Sequence, residues 1–429
     1  MTFDRIQNKF LKFNFANIKN GTELTANIKK LIILVHDFTS NGYTGWLKHI
    51  AAAILEKEEA TIISVDWQPG AEPPFQQAIA NARVVALEIT AFLKSGEANF
   101  DDGTVEIIGH GVGAHIAGYV GHSFKINKIT ALDPTGPYFE YMPAIVRLDP
   151  DDANFVEVLH TDAHTSKSQG TMTNMGHLDF FINGAFQQPH CNESNHLPKF
   201  TKLNRNMLKE GDIIPACSHK RSFKYYIEAL ENDNCEFVGF KCDSYNEFLE
   251  GKCTECKLPG STCAKIAGIP SSNKDNFTFF LNTRGVGPFC MNPYRVEILF
   301  DKKATKKIVQ NGYFEIIMID SNGILVTGYP SSGGASVTFQ TNTPYAMIYY
   351  AKPPIVKNIV EVRLKWVHNP NSICVLCETS VYVREVTISY IRLCKRPLQL
   401  NKMCSMQYKD EIKSGSYRSF VKCPKSSKP

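Results

Sequence analysis

The sequence predicts an α/β domain on a mostly parallel sheet, followed by an all-β sandwich. Three observations carry this. Over the first half, short apolar runs alternate with helical patterns. After Cys290, six β-rich runs follow one another between turn signals such as Ser321-Asn322-Gly323 and Ser332-Gly333-Gly334. The charge divides at the same place: the net +5 of the 429 residues is −6 from Met1 to Phe289 and +11 from Cys290 to Pro429. Such a shift marks a domain boundary and a surface that meets anions, so the domains are read as 1–289 and 290–429.

Leu31–Val35 (LIILV) reads as a fully buried strand, Trp46–Glu56 as a helix rich in Ala and Leu, and Thr61–Val65 as a strand. Phe75–Leu93 has Ala and Val at helical spacing, and Val105–Ile108, Lys128–Leu132 and Phe155–His160 are further strands. Apolar strands separated by helices argue a parallel sheet covered on both faces. Cys191 to Cys290 is loop-rich and holds most of the cysteines. Beyond it, Tyr294–Phe300, Tyr313–Ile319, Ser336–Gln340, Ala346–Tyr350, Ile359–Trp366 and Val381–Leu393 read as sandwich strands.

At 43% hydrophobic and 21% charged, the chain is neither a disordered tail, nor a collagen, nor a small disulfide knot. No stretch approaches the ~20 apolar residues of a membrane-spanning helix. Thirteen cysteines and sequons at Asn20, Asn192 and Asn276 favour a secreted glycoprotein, although the start, Met1-Thr-Phe-Asp-Arg-Ile, shows no apolar signal core. The odd count leaves at least one thiol without a partner in the chain. No nucleic-acid-binding motif accompanies the basic charge, which sets nucleic acid aside.

The strand Val105–Ile108 runs into Gly109-His110-Gly111-Val112-Gly113 and then a helical pattern. Strand, G-x-S-x-G and helix form the nucleophile elbow of α/β-hydrolases. Both flanking glycines are present, but the apex serine is replaced by Gly111. Without a hydroxyl there, no acyl-enzyme can form. His110 is a poor substitute, because the elbow aims only its apex side chain at the site. A glycine run could also open a nucleotide-binding unit, but no acidic ribose ligand stands in a fitting strand.

The run GHGVGAHIAGYVG, with Leu132-Asp133-Pro134, resembles the pancreatic lipase family, whose elbow reads GHSLGAHVAGY or close to it. Val35-His36-Asp37-Phe38 resembles its V-H-G-F, and Val65-Asp66-Trp67 matches V-D-W. Arg147–Asp152 resembles R-L-D-P-x-D, and Val158–Asp162 and Gly176–Gly184 match in turn. Cys217–Ser222 resembles C-x-H-x-R-S, and the β-rich end resembles the family's PLAT domain. The resemblance implies an α/β-hydrolase domain with triad positions Gly111, Asp133 and His219, in the chain order nucleophile, acid, base. The oxyanion donors would be the backbone N–H groups of Phe38 and Val112. Asp37 replaces a family glycine, and aspartate tolerates left-handed backbone better than most residues.

The resemblance also implies a structural calcium ion, held by the Asp149 and Asp152 carboxylates and the Ala144 and Arg147 carbonyls, and no organic cofactor; a solvated acidic turn is the alternative. It implies a lid over 191–217, closed by Cys191–Cys217, in which Phe200, Leu203, Met207 and Leu208 form the apolar face of an amphipathic helix. Further implied pairs are Cys242–Cys253, Cys256–Cys263 and Cys404–Cys423, and Cys235 is expected to pair with Cys290. Cys374, Cys377 and Cys394 are left over.

The function expected is that of a catalytically impaired, secreted lipase homologue that binds lipid, a lipoprotein surface or a protein partner. Its basic C-terminal domain would dock on anionic lipid headgroups or heparan sulfate. The alternatives are a carboxylic ester hydrolase acting on glycerides or phospholipids, and a yolk-like storage protein. Gly111→Ser is expected to restore ester hydrolysis.

Overall fold

A computed structural model describes residues 2–4, 9–11, 29–95, 104–164, 168–191, 216–256, 261–268, 276–301, 309–356, 358–369, 379–393, 400–405 and 411–424. The lid residues Phe200, Leu203, Met207 and Leu208 fall outside the described residues, as do Cys374, Cys377, Cys394, Asn20 and Asn192. The chain forms two compact units. The first comprises 1–233, 267–279 and 283–289, and the second comprises 234–266, 280–282 and 290–429. The cysteine-rich segment 234–266 thus groups with the C-terminal strands, whereas the charge shift draws its line at 289/290. Two contacts account for this: the Cys235–Cys290 disulfide, and Arg295, which reaches Glu255 at 3.5 Å and Thr254 at 3.3 Å.

In the first unit, strands β1 (Thr2–Asp4), β2 (Lys9–Leu11), β3 (Leu31–Val35), β4 (Thr61–Val65), β5 (Val105–His110), β6 (Lys128–Leu132), β7 (Phe155–His160) and β8 (Leu178–Ile182) lie in the order β8-β7-β6-β5-β3-β4-β1-β2. From β8 to β4 every pairing is parallel, while β1 pairs antiparallel with β4 and β2. The sheet is therefore mixed. Every residue of β3 and β7 is buried, as continuous apolar strands covered on both faces require. Helices α1 (Gly45–Lys57), α2 (Phe75–Lys94), α3 (Val112–Gly121) and α4 (Cys217–Glu231) accompany it. On α2, Phe75, Ala78, Ala82, Ala86, Ile89 and Leu93 form one buried stripe at helical spacing. No helix among the described residues is long and apolar enough to cross a membrane.

A largely buried ion pair joins β6 to β7: Lys128 Nζ, on a half-buried residue, lies 3.0 Å from Oε2 of the buried Glu157. Burial alone would lower the lysine pKa, but the Glu157 carboxylate reverses this and holds it above its ordinary value.

In the second unit, strands 292–300, 345–351, 325–330, 309–320, 359–368, 417–422, 400–405 and 380–390 pair in that order, and 380–390 pairs back onto 292–300. All these pairings are antiparallel, so these eight described strands close on themselves. Burial alternates along Asn292–Phe300, with Tyr294, Val296, Ile298 and Phe300 facing the core. The sequence expectation lacks Leu325–Pro330, Leu400–Ser405 and Tyr417–Lys422, whose alternation is broken by Gly328, Pro330 and exposed polar residues. Disulfides join Cys191–Cys217, Cys235–Cys290, Cys242–Cys253, Cys256–Cys263 and Cys404–Cys423.

Candidate functional site at the elbow

The elbow is formed by β5 running into α3. The flanking glycines are required by close approach: a Cβ on Gly109 would lie 2.3 Å from the Gly113 carbonyl oxygen, and one on Gly113 would lie 2.4 Å from that of Val35. Gly111 sits at the apex with φ 57° and ψ −118°, in left-handed space that favours glycine.

Three side chains converge beneath this apex. Asp133 follows the end of β6, also with positive φ (47°). Its Oδ1 accepts the backbone N–H groups of Thr161 at 2.6 Å and Asp162 at 3.1 Å, which fixes the carboxylate. Its Oδ2 accepts from His219 Nδ1 at 2.6 Å. His219 stands in the first turn of α4, two residues after Cys217, whose bridge to Cys191 secures that end.

The third side chain is Asp37. Its Oδ2 lies 3.0 Å from His219 Nε2, and its Oδ1 accepts the Val112 backbone N–H at 2.7 Å. One carboxylate therefore occupies both positions that a serine hydrolase keeps apart: the acceptor beside the histidine and the anion on the elbow's backbone donor. Gly111 makes room for it, since a Cβ there would come within 2.1 Å of Asp37 Oδ1. This weighs against the expectation that Gly111→Ser suffices to restore hydrolysis, because a serine side chain and the Asp37 carboxylate claim the same space. The left-handed backbone expected near Asp37 falls instead on Thr39, with φ 53°.

Charge follows geometry. Burial would lower the His219 pKa, but hydrogen bonds to Asp133 and Asp37 raise it to about 10. Burial would raise Asp37, but the hydrogen bond and charge of His219 bring it down to about 2. The two carboxylates thus favour the imidazolium form of His219 at neutral pH, which opposes general-base action. The linkage sign follows. Stability from His219 is complete below its ordinary value of 6.5 and is lost as pH rises toward about 10. Stability from Asp37 is present above 3.8 and is lost as pH falls toward about 2. Denaturant unfolding measured in chelator is expected to show falling stability from about pH 6.5 to 10, with a shallower fall in Asp37→Asn. A flat parent profile over that range contradicts the assignment.

His110, set aside in the sequence reading, belongs to the cluster. It is 4% exposed, its ring lies 4.3 Å from that of His219, and its Nδ1 is 4.0 Å from Asp37 Oδ2. Burial and the neighbouring His219 charge lower its pKa to about 4, so the ring is neutral. Asp37, Phe38, Trp46, His110, His219 and Phe223 help line a cavity of about 440 Å³ at this point.

A second feature absent from the sequence reading is the segment 138–145, where Tyr138, Tyr141, Met142 and Ile145 are exposed; Tyr141 reaches 83% and Ile145 68%. Phe75 bridges it to the elbow, with ring centroids 5.0 Å from Phe38 and 6.0 Å from Tyr138. The apolar density of Tyr138-Phe-Glu-Tyr-Met-Pro-Ala-Ile145 is the signal that could have found it.

Oxygen donors also gather in the Ala144–Asp152 segment. Asp152 Oδ2 accepts from the Asp149 N–H at 2.8 Å, and Asp149 Oδ1 accepts from that of Asp151 at 3.4 Å. Arg147 Nη1 lies 3.2 Å from Asp149 Oδ2, and His122 Nε2 lies 2.8 Å from Asp152 Oδ1. The donor set is the hard-oxygen kind that suits calcium, but an ion there competes with Arg147 and His122.

A family model described as Lipase matches residues 13–289. The pancreatic triacylglycerol lipase of Cavia porcellus is 36% identical over 326 residues, 70% of this chain and 69% of that protein. That of Oryctolagus cuniculus is 33% identical over 329 residues, 72% and 70% of the two chains. Pancreatic lipase-related protein 2 of Bos taurus is 36% identical over 307 residues, 69% of this chain and 64% of that protein.

Proposed function

The chain belongs to the lipase family, and from that premise we propose that it binds lipid surfaces without hydrolysing esters by the serine route. The carrying observation is Asp37, whose carboxylate lies on both His219 Nε2 and the Val112 N–H beneath an apex that has no hydroxyl. With a protonated His219, the site lacks both nucleophile and base. Exposed Tyr141, Met142 and Ile145 support the lipid-facing role, since large apolar side chains exposed close together in sequence mark a candidate interaction surface. The five disulfides among the described residues support a secreted protein. The closed β unit, PLAT-like in sequence, is the candidate module for docking on anionic headgroups or heparan sulfate. Co-sedimentation with phosphatidylcholine and phosphatidylserine vesicles tests the binding. The chain is expected to pellet with vesicles and to lose binding in Tyr141→Ser/Ile145→Ser, without release of fatty acid. A parent chain that stays in the supernatant overturns this reading.

Calcium enters as a proposal on the same terms. Asp149, Asp152 and the Ala144 and Arg147 carbonyls would hold it, displacing Arg147 and His122 from the carboxylates. Millimolar calcium is expected to raise the thermal midpoint by several degrees, since saturating a native-state site 100-fold above its Kd adds about 2.7 kcal/mol. No shift, or an equal shift in Asp149→Asn/Asp152→Asn, contradicts it.

A further inference from the structure

We propose that Asp37, His110 and His219 form a divalent transition-metal site, suited to Zn²⁺, beneath the elbow apex. One carboxylate and two imidazoles are the ligand set of open, three-coordinate protein sites. Their donor atoms all lie within 4.8 Å of one another and all three residues are buried. Asp37 Oδ2 lies 3.0 Å from His219 Nε2 and 4.0 Å from His110 Nδ1. Zinc ligated at about 2.0–2.2 Å holds tetrahedral neighbours about 3.3 Å apart, so small side-chain movements close the site. The metal takes the place of the proton between His219 Nε2 and Asp37, which leaves to solvent on binding, so that Nε2 coordinates as a neutral imidazole nitrogen.

The surroundings are what make this more than a chance cluster. Metal-ligating histidines have their second ring nitrogen held by an acceptor, which fixes tautomer and orientation. Both do here: His219 Nδ1 lies 2.6 Å from Asp133 Oδ2, and His110 Nε2 lies 3.3 Å from the His219 carbonyl oxygen. Those contacts turn Nε2 of His219 and Nδ1 of His110 toward Asp37. The second oxygen of Asp37 is itself held by the Val112 N–H at 2.7 Å. All three ligands are therefore braced from behind. The cavity of about 440 Å³ opens on the same three residues, leaving the fourth position to a water or a carboxylate oxygen.

The inference also accounts for two departures together. Asp37 in place of a family glycine supplies a ligand, and Gly111 in place of the serine clears the volume that ligand enters. It does not depend on lipid binding or on catalytic silence; vesicle binding and ester hydrolysis are read in separate assays.

The full chain is stripped with chelator, exchanged into clean buffer and titrated with ZnCl₂ alone by calorimetry, with bound metal counted after equilibrium dialysis. One ion per chain at micromolar Kd or tighter is expected. Asp37→Asn and His110→Gln should each weaken binding at least about 10-fold, and Asp133→Asn, which acts through His219, by about 10–100-fold. Cobalt added to the unmodified chain should give the visible absorption of a tetrahedral ion. This reading does not depend on how the variants fold. No stoichiometric zinc, no tetrahedral cobalt spectrum, or zinc affinity unchanged in folded Asp37→Asn and His110→Gln overturns the proposal.

Discussion

Gly111→Ser alone is expected to remain inactive and to lose stability, whereas Asp37→Gly/Gly111→Ser is expected to gain ester hydrolysis by at least about 10³-fold over the parent. The single variant places a non-glycine residue at φ 57°, which costs about 1–3 kcal/mol. It also drives a Cβ to 2.1 Å from Oδ1 of a carboxylate whose two oxygens are each held by a hydrogen bond. Even if Asp37 swings aside, its charge stays beside His219, where it favours the imidazolium over the base that serine needs. Removing the carboxylate frees the Val112 N–H for an oxyanion and leaves His219 paired with Asp133 alone, as in a working triad. The gain is bounded from above by what a triad nucleophile is worth, since deleting one costs about 2 × 10⁶ in kcat in a serine protease. Hydrolysis of a short-chain glyceride by the four chains of this cycle checks it. Activity in Gly111→Ser equal to that of the double variant contradicts the role given to Asp37.

Lys128→Met is expected to destabilise the first unit by about 3–5 kcal/mol, the usual result of stranding one member of a buried ion pair. Glu157 is 1% exposed, and its Oε1 already accepts the Ala267 N–H at 2.9 Å, so it has no route to water. Because β6 leads directly into Asp133, the loss should also loosen the Asp133–His219 pair. Lys128→Met/Glu157→Gln keeps the Ala267 hydrogen bond and removes the stranded charge, so it should recover most of the stability. Chemical denaturation of the parent and both variants decides this. A double variant as unstable as Lys128→Met shows that packing rather than charge holds the position.

The parallel core was legible because its strands are short, wholly apolar runs such as Leu31–Val35, bounded by helices with Ala at every fourth position. The elbow was legible because close backbone approach at Gly109 and Gly113 admits only glycine, and that leaves a mark in the sequence. The placement of Asp37 was not. Sequence shows a glycine exchanged for aspartate and, 74 positions later, a serine for glycine. Only the parallel pairing of β3 with β5 brings those two strand ends together. His110 was misjudged for a related reason. The elbow does aim its apex at the cavity, but an apex without a side chain leaves its neighbour within reach of Asp37. The β strands around Leu325–Pro330 and Tyr417–Lys422 were hidden because their exposed faces carry residues that read as turn or tail.

The most direct test of the central claim is the initial rate at which the unmodified chain, in chelator and separately in calcium, releases fatty acid from glyceride emulsions and phospholipid vesicles. The account predicts release within about 10⁴-fold of the uncatalysed rate, the residue left when a triad has lost its nucleophile. Sustained turnover at about 1 s⁻¹ or faster, the range of an ordinary enzyme, would contradict it.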